Sequence, residues 1–210
     1  MQNKTNDMVI KDGMNAFERF IKRSFDIVCS FFGLVVLSPV FLVVYIRLRI
    51  QNDGSVIFSQ ERIGYKGKPF NIYKFRTMRV DSESSGKPQL ASKGDERLTK
   101  VGKFLREHHL DELPQLWNVF VGDMSFVGPR PERQYYIDKI KEKNPNYDYI
   151  YLTRPGLTSL ATIYNGYTDT LEKMLTRLDM DLEYLQKRSL LYDLRIIVTT
   201  VLYILTGKKF

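Results

Sequence analysis

Several common sources of catalytic chemistry are scarce or absent in this sequence, and each absence narrows the function. Cys29 is the only cysteine, so an intramolecular disulfide and a metal–thiolate cluster are excluded. The two histidines, His108 and His109, are adjacent, and adjacent side chains on a helix do not face each other, which argues against a two-histidine metal site. Because GxxxxGK[ST], G-x-S-x-G and H-E-x-x-H patterns are missing, a P-loop ATPase, a serine hydrolase and a zinc protease are disfavoured.

The charge balance is strongly basic, with a net charge of +8 and a pI near 9.4. This excess is typical of a protein with an anionic partner, which could be nucleic acid, an anionic lipid surface or a phosphate-rich substrate. The sequence lacks a zinc-finger spacing, an RNP-like motif and a clear helix-turn-helix. Nucleic acid would also leave the long apolar run unexplained, so we expect no nucleic-acid partner.

The only long apolar run covers Ile27–Ile46, which is 20 residues without a charge. As a helix it would reach roughly 30 Å, the thickness of the hydrocarbon core of a bilayer. Ser38-Pro39 lies just past its middle, and proline breaks or kinks a helix because it lacks an N–H. Basic residues flank both ends of the run, which favours both ends facing the same compartment. We therefore predict a re-entrant helix, and an ordinary spanning helix with a kink stays open.

The remaining patterns predict a mixed fold that is mostly helical. Residues 16–26 have an aromatic stripe typical of an interfacial amphipathic helix. Short strands are predicted on either side of the Gly64–Gly67 turn. Further helices are predicted from the periodicity and the proline positions: about 95–110, 114–122, about 132–143, 168–188 and 196–205. The polar stretch 81–94 is predicted to be a flexible loop.

The expected class is therefore α+β, with a re-entrant membrane hairpin, interfacial helices and a small antiparallel β element. The predicted organisation is a flexible N-terminus over 1–15, an interfacial and re-entrant segment over 16–50, and a cytoplasmic catalytic domain over 51–210. We find no internal repeat.

The first candidate site is the acidic pair Asp111-Glu112 in LDELPQLWN. An ionised carboxylate needs no general base to act as a nucleophile, and carboxylate oxygens are ligands for Mg²⁺. The pair precedes a predicted helix N-terminus, where a phosphate is also favoured. Acidic residues near a helix start are common for stability alone, so spacing by itself does not decide between these interpretations.

The second candidate is a set of basic residues in rigid surroundings. Arg130 lies in GPRP and Arg154 in RPG, and a guanidinium held in place can bind a phosphate through two hydrogen bonds. Lys74 and Arg76, in YKFRTM, add charge at a predicted strand end. Solvated surface cations are the alternative for each of them. Their occurrence together with a membrane element and an acidic pair favours an anionic substrate.

The motifs taken in order resemble the bacterial sugar transferase family, the small monotopic phosphoglycosyl transferases. They are KRSFD, the Ser-Pro within the apolar run, QERIG, KPFNIYKFRTM, LTKVGKFLREHHLDELPQLWNV, GDMSFVGPRPE, RPGLTS and YDLRI. The resemblance covers roughly residues 17–206, and DELPQLWNV followed by GDMS-x-VGPRP is its most specific part. The chain is similar to the catalytic-core form, without the additional N-terminal membrane helices of larger relatives.

The resemblance implies a reaction at the cytoplasmic face of the bacterial inner membrane. A sugar 1-phosphate would pass from a UDP-sugar to undecaprenyl phosphate and release UMP, in a ping-pong reaction that needs Mg²⁺. The product would begin a capsule, exopolysaccharide, O-antigen or glycoprotein glycan. The implied partners are the UDP-sugar, undecaprenyl phosphate and membrane phospholipids, and a homodimer stays open.

The resemblance also implies roles for individual residues. Asp111 would be the nucleophile and Glu112 a Mg²⁺ ligand. Arg130 and Arg154 match phosphate-binding arginines of the family. Further positions match with less defined roles: Lys74, Arg76, the supporting candidate Asn118, and Asp181, which matches the acidic residue of the family's late L-D-x-x-Y segment. Ser38-Pro39 would be the break of the re-entrant helix.

One segment departs from the family pattern. Where many members continue RPG-x-T-G with W/A-Q-V-N-G-R, this chain reads LTSLATIYNGYTDT, so Asn165-Gly166 remains while Thr162, Ile163 and Tyr167 replace family residues. This segment is a candidate for selecting the sugar, and the sugar is therefore not predicted. A non-catalytic membrane-surface scaffold of polysaccharide assembly is the alternative function. A polytopic transferase is disfavoured because only one long apolar run exists.

Overall fold

The computed structural model describes residues 10–51, 54–82, 89–90, 95–166 and 168–206. Tyr167 of the candidate sugar-selecting segment and most of the predicted loop 81–94 lie outside these residues. The helices are α1 (Ala16–Val36), α2 (Ser38–Gln51), α3 (Lys100–Glu107), α4 (Gln115–Val121), α5 (Gln134–Lys141), α6 (Leu160–Tyr164), α7 (Leu171–Lys187) and α8 (Leu190–Leu205). The strands are β1 (Ile57–Ile63), β2 (Pro69–Phe75), β3 (Ser125–Val127) and β4 (Gly156–Thr158). Short 3₁₀ helices cover Tyr65–Gly67, Leu110–Glu112 and Pro145–Leu152.

The apolar run forms two helices that meet at a sharp bend. Helices α1 and α2 are separated by Leu37 and are inclined by 58°. Pro39 has no N–H for the carbonyl of Val35, and the Ser38 hydroxyl donates to that carbonyl instead, at 2.7 Å. The predicted break at Ser38-Pro39 is confirmed. Among the described residues, no single helix is long and apolar enough to cross a bilayer, whereas this bent pair meets that length and composition together.

Helix α1 is longer than the interfacial helix predicted over 16–26, because it continues without interruption into the apolar run. It begins with a capping box, in which Asn15 accepts from the Glu18 N–H and Glu18 accepts from the Asn15 N–H. Residues 10–15 also differ from the expected flexible terminus. Ile10 and Met14 are buried, and the Gly13 N–H donates to the Leu185 carbonyl at 2.9 Å.

The predicted β-hairpin is confirmed, and a second strand pair was not foreseen. Strands β1 and β2 pair antiparallel from Ile57↔Phe75 to Ile63↔Pro69. Strands β3 and β4 pair in parallel. Gly128 and Gly156 lie where these two segments meet, and a Cβ on Gly128 would lie 2.3 Å from the Arg154 carbonyl oxygen. A side chain at Gly128 or Gly156 is therefore sterically excluded, because the two backbone segments pass too close to each other.

The helix predicted over 95–110 is wrong at both ends. Thr99 caps α3 by accepting from the Gly102 N–H, so residues before it stay outside the helix. At the other end His109 has a left-handed backbone, with φ of 54°, which turns the chain before Leu110. Helix α5 similarly begins two residues after Glu132, whose backbone pairs with Ile63 instead of joining the helix.

Helix α1 is attached to the rest of the chain through its first turns. Lys22 donates to the Val127 carbonyl at 2.9 Å and forms a short ion pair with Asp193 of α8. Arg23 donates to the Val119 and Phe120 carbonyls at 2.7 and 2.8 Å, which satisfies the C-terminal end of α4. The base of the helix pair is therefore fixed against the elements that lead into the candidate site.

Candidate active site

Asp111 and Glu112 lie in a 3₁₀ turn directly before α4, beside the end of β2. Helix α4 starts after this turn because Pro114 has no N–H and cannot continue a helix that began before it. Asn118 of α4 fixes the neighbouring strand: its amide donates to the Asn71 carbonyl at 2.7 Å and accepts from the Tyr73 N–H at 3.1 Å. Asn118 thus acts on the position of β2 and of Lys74, which follows Tyr73.

Glu112 is held between two cations. Lys74 Nζ donates to Glu112 Oε1 at 2.5 Å, and Arg130 Nη2 donates to the same oxygen at 3.2 Å. Burial alone would raise the pKa of Glu112, but the charges of Lys74 and Arg130 outweigh it and hold that pKa far below its ordinary value. Three residues predicted from separate motifs therefore meet in one site, and Glu112 stays ionised.

The pKa of Asp111 is shifted in the opposite direction to that of Glu112. Its side chain is buried, and burial raises its pKa above the ordinary value while Lys74 opposes that effect. The charge of Glu112 raises the pKa further, and Arg106 lowers it. Arg106, whose guanidinium donates to the Thr77 hydroxyl at 3.0 Å, was not among the predicted residues. Its position five residues before Asp111, on the helix α3 that ends at this turn, is the signal that could have identified it.

Arg130 belongs to a turn between β3 and α5 that also contains Glu132. Its pKa is raised, chiefly by the charge of Glu112, so it remains a cation. Asp181 of α7 accepts a hydrogen bond from the Arg130 backbone, and burial raises the pKa of Asp181 to about 7. A small cavity with space for about one water molecule lies between Arg130, Arg177 and Asp181.

Arg154 and Arg76 each donate a hydrogen bond to a backbone carbonyl. Arg154 Nε donates to the Gly122 carbonyl at 2.8 Å, and its guanidinium lies 5.1 Å from the Tyr65 ring centre. It lines a cleft with Arg19, Lys22 and Arg23 of α1. Arg76 Nε donates to the Ser55 carbonyl at 2.6 Å, at the start of the β-hairpin. A phosphate-binding role for either residue stays a prediction.

The carboxylates of the site are suited in kind to Mg²⁺. In the described part of the chain, no group of three or more His, Cys, Asp or Glu side chains is arranged to hold a metal. Mg²⁺ is commonly bound by only one or two carboxylates together with substrate phosphates and water. Glu112 supplies one such carboxylate, and both cations that contact it bind its Oε1.

The comparisons with known proteins agree with the motifs that form this site. A family model described as bacterial sugar transferase matches residues 17–207. The chain belongs to the bacterial sugar transferase family. Its members of known name include a UDP-N-acetylgalactosamine-undecaprenyl-phosphate N-acetylgalactosaminephosphotransferase of Aeromonas hydrophila, which is 38% identical over 90% of this chain and 44% of the relative.

Two further relatives differ in name and in how much of their length this chain covers. A UDP-glucose:undecaprenyl-phosphate glucose-1-phosphate transferase of Klebsiella pneumoniae is 43% identical over 90% of this chain and 41% of the relative. An exopolysaccharide production protein PSS of Rhizobium leguminosarum bv. phaseoli is 40% identical over 90% of this chain and 98% of the relative. The chain therefore spans less than half of the first two relatives and nearly all of the third.

Proposed function

We propose that this protein is a phosphoglycosyl transferase that moves a sugar 1-phosphate from a UDP-sugar to undecaprenyl phosphate, giving undecaprenyl-diphosphate-sugar and UMP. The observation that carries the proposal is the acidic pair Asp111-Glu112, with Lys74 and Arg130 on Glu112, in a protein that also has a bent apolar helix pair. The relatives named for transfer of a sugar phosphate to undecaprenyl phosphate support the same reaction.

In the first step a carboxylate oxygen of Asp111 attacks the phosphorus next to the sugar. The P–O bond to the UMP part breaks, UMP leaves with that bonding pair, and a phosphosugar–aspartate remains. In the second step an oxygen of the lipid phosphate attacks the same phosphorus and the Asp111 carboxylate is released. Lys74 and Arg130 face the charge that builds up on the phosphates, in surroundings where such interactions are strong.

Glu112 is the residue that would hold Mg²⁺. When bound, this ion would neutralise phosphate charge as a Lewis acid. The two cations on Glu112 keep that carboxylate ionised and therefore able to act as a ligand. Asn118 and Asp181 support the site indirectly, through β2 and through the backbone of Arg130.

The helix pair explains how one site could serve a soluble donor and a lipid acceptor. We propose that α1 and α2 enter the cytoplasmic leaflet of the bacterial inner membrane and return to the same side, which makes the protein monotopic. The bend at Leu37 and the basic residues on both flanks support this. The site, whose flanking residues Leu110 and Leu113 pack against α2, would then lie near the phosphates of the lipid headgroups.

The relatives are named for different sugars, among them N-acetylgalactosamine, glucose and galactose, so the donor is best found with a panel. Purified protein in nanodiscs would receive undecaprenyl phosphate, Mg²⁺ and each UDP-sugar, and UMP release would be measured. We expect release with at least one donor and a mass increase of one phosphosugar when the lipid is omitted. Absence of both with all donors would contradict the proposal and favour a non-catalytic scaffold.

A further inference from the structure

The turn that carries Arg130 is attached to the rest of the protein at successive residues. The Pro129 carbonyl accepts from the Gly156 N–H at 2.9 Å, and the Pro131 carbonyl accepts from Arg62 Nη1 at 3.3 Å. The next carbonyl, that of Glu132, accepts from the Ile63 N–H at 3.0 Å. Elements distant in sequence therefore define the path of this turn, and side-chain contacts at Glu132 add to them.

The Glu132 carboxylate is buried between two arginines from different elements. Arg177 of α7 donates to Oε1 at 2.5 Å, and Arg62 at the end of β1 donates to Oε2 at 3.1 Å. The Glu132 and Arg177 side chains are each 7% exposed. Burial alone would raise the pKa of Glu132, but Arg177 and Arg62 outweigh it and lower that pKa. One carboxylate thus joins the β-hairpin to α7 directly beside Arg130.

We propose that Glu132 is a positioning residue for phosphate binding and transfer: clamped by Arg62 and Arg177, it holds the Pro129–Pro131 turn so that Arg130 faces Glu112. This inference rests on the proposed function, in which Arg130 contacts donor phosphates. Glu132 itself lies behind the turn and makes no contact with Asp111 or Glu112 among the hydrogen bonds of the described residues. It acts through Arg130.

The charge of Glu132 matters as much as its shape. Arg130, Arg133 and Arg177 all act on Arg62 as like charges, and Glu132 is the carboxylate that offsets them. Glu132→Gln keeps the volume but removes the carboxylate charge that bridges the partly buried Arg62 and the buried Arg177, which is costly in a protein interior. We expect the arginines to move apart and the turn to shift, which would take Arg130 away from Glu112.

Another carboxylate offers a matched control. Asp12 is held between Arg188, at 2.5 and 2.6 Å, and Arg19, at 3.0 Å. This second clamp has the same chemistry, and it ties the N-terminal segment to the chain after α7 instead of holding the Arg130 turn. Asp12→Asn therefore breaks a comparable clamp without touching Arg130.

The test is a double-mutant cycle of Glu132→Gln with Arg130→Ala. We expect Glu132→Gln alone to lower kcat/KM for the UDP-sugar by about 10- to 100-fold, the range for losing one charge-assisted contact. In the Arg130→Ala background the same change should cost less than about twofold, because its target is gone. Glu132→Asp, which keeps the charge, should recover part of the activity. Asp12→Asn should combine additively with Arg130→Ala.

A second readout keeps the test independent of turnover and of folding losses. Binding of inorganic pyrophosphate would be followed by the fluorescence of Trp117, the only tryptophan, which lies on α4 just after Glu112. Thermal unfolding would show which variants are folded, and Glu132→Asp replaces Glu132→Gln in the cycle if the latter is not. We expect the dissociation constant to show the same non-additivity as kcat/KM.

The outcomes separate the two proposals. UMP release by wild type with additive effects in the cycle, or equal coupling for Asp12→Asn, would overturn the positioning role alone. Pyrophosphate binding that shows the coupling, without UMP release for any donor, would overturn the reaction and support the positioning. Neither binding nor release in folded wild type would overturn both.

Discussion

The outer surface of the helix pair α1–α2 and the interior around Glu112 place apolar and charged side chains in opposite ways. Phe17 and Phe20 of α1 are 70% and 69% exposed, and large apolar side chains continue outward along both helices. Around Arg130, by contrast, Glu132 and Arg177 are buried and paired with each other. An apolar exterior is stable only against an apolar medium or partner, whereas buried charges persist only when each is paired. We therefore regard this pattern as support for the proposed membrane-seated, phosphate-handling function.

Among changes to the charged interior, Asp111→Asn should have the largest effect on turnover. The amide is nearly the same shape but is a poor nucleophile, so we expect turnover to fall by at least about a thousandfold. UMP release measures the effect, and intact mass would show no phosphosugar adduct. Retained turnover would remove Asp111 as the nucleophile.

Lys74→Met should have the next largest effect. It removes one of the two cations on Glu112 Oε1 while keeping an apolar stem of similar length, and we expect a loss of about 10- to 100-fold in kcat/KM. Lys68→Met, at an exposed position of the same hairpin, is the control and should change kcat/KM by less than about twofold. Equal effects of the two changes would point to a general charge effect.

Pro39→Ala tests whether the bend in the apolar helix pair sets its topology. Alanine restores an N–H that can bond to the Val35 carbonyl, so a continuous helix costs less and part of the population should span the bilayer. Single cysteines at Lys11 and Ser55, in a Cys29→Ser background, would be labelled in sealed vesicles with an impermeant maleimide. We expect same-side labelling in wild type and a second, opposite-side population in the variant. Identical labelling would show that the proline does not decide the topology.

The smallest predicted effect concerns stability and pH at Asp181. Its pKa is raised to about 7 in the folded state, so the folded protein holds a proton that the unfolded chain releases near pH 4. This contribution to stability is present below about pH 4 and is lost as the pH rises through about 7. Asp181→Asn cannot titrate, so its unfolding midpoint should exceed that of wild type by a few degrees, about 2–4 °C per kcal/mol, at pH 8.

Near pH 4 the Asp181→Asn and wild-type midpoints should agree. Asp179→Asn, an exposed change two residues away on α7, is the control and should leave the pH dependence of the midpoint unchanged. A flat difference between Asp181→Asn and wild type across this pH range would contradict the raised pKa.

Local signals in the sequence predicted some parts of this structure well. Ser38-Pro39 predicted the bend because proline removes a specific N–H, and the Gly64–Gly67 turn predicted the hairpin because glycine tolerates its backbone angles. The motif residues Glu112, Arg130 and Lys74 were each identified from short stretches of sequence. Their meeting at one carboxylate oxygen came only from the fold.

Other features depend on contacts between distant segments and carry no local signal. The parallel pairing of β3 with β4 joins Ser125 to Gly156, and no periodicity in three-residue strands indicates it. Arg154 was grouped with Arg130 because both lie beside prolines, yet its Nε turns to the Gly122 carbonyl. Glu132 was overlooked because a glutamate after a proline resembles an ordinary surface residue until its two arginines are known.

The pairing of Lys22 with Asp193 has a consequence for the order of folding. Lys22 belongs to α1 and Asp193 to α8, so this ion pair at the base of α1 can form only after α8 has been synthesised. Long-range contacts of this kind form late, after the loop between them has closed. During that interval α1 and α2 have already been synthesised. In the proposed topology, their entry into the bilayer would therefore precede assembly of the site, and a chain interrupted before α8 would be anchored without the ion pair that fixes the base of α1.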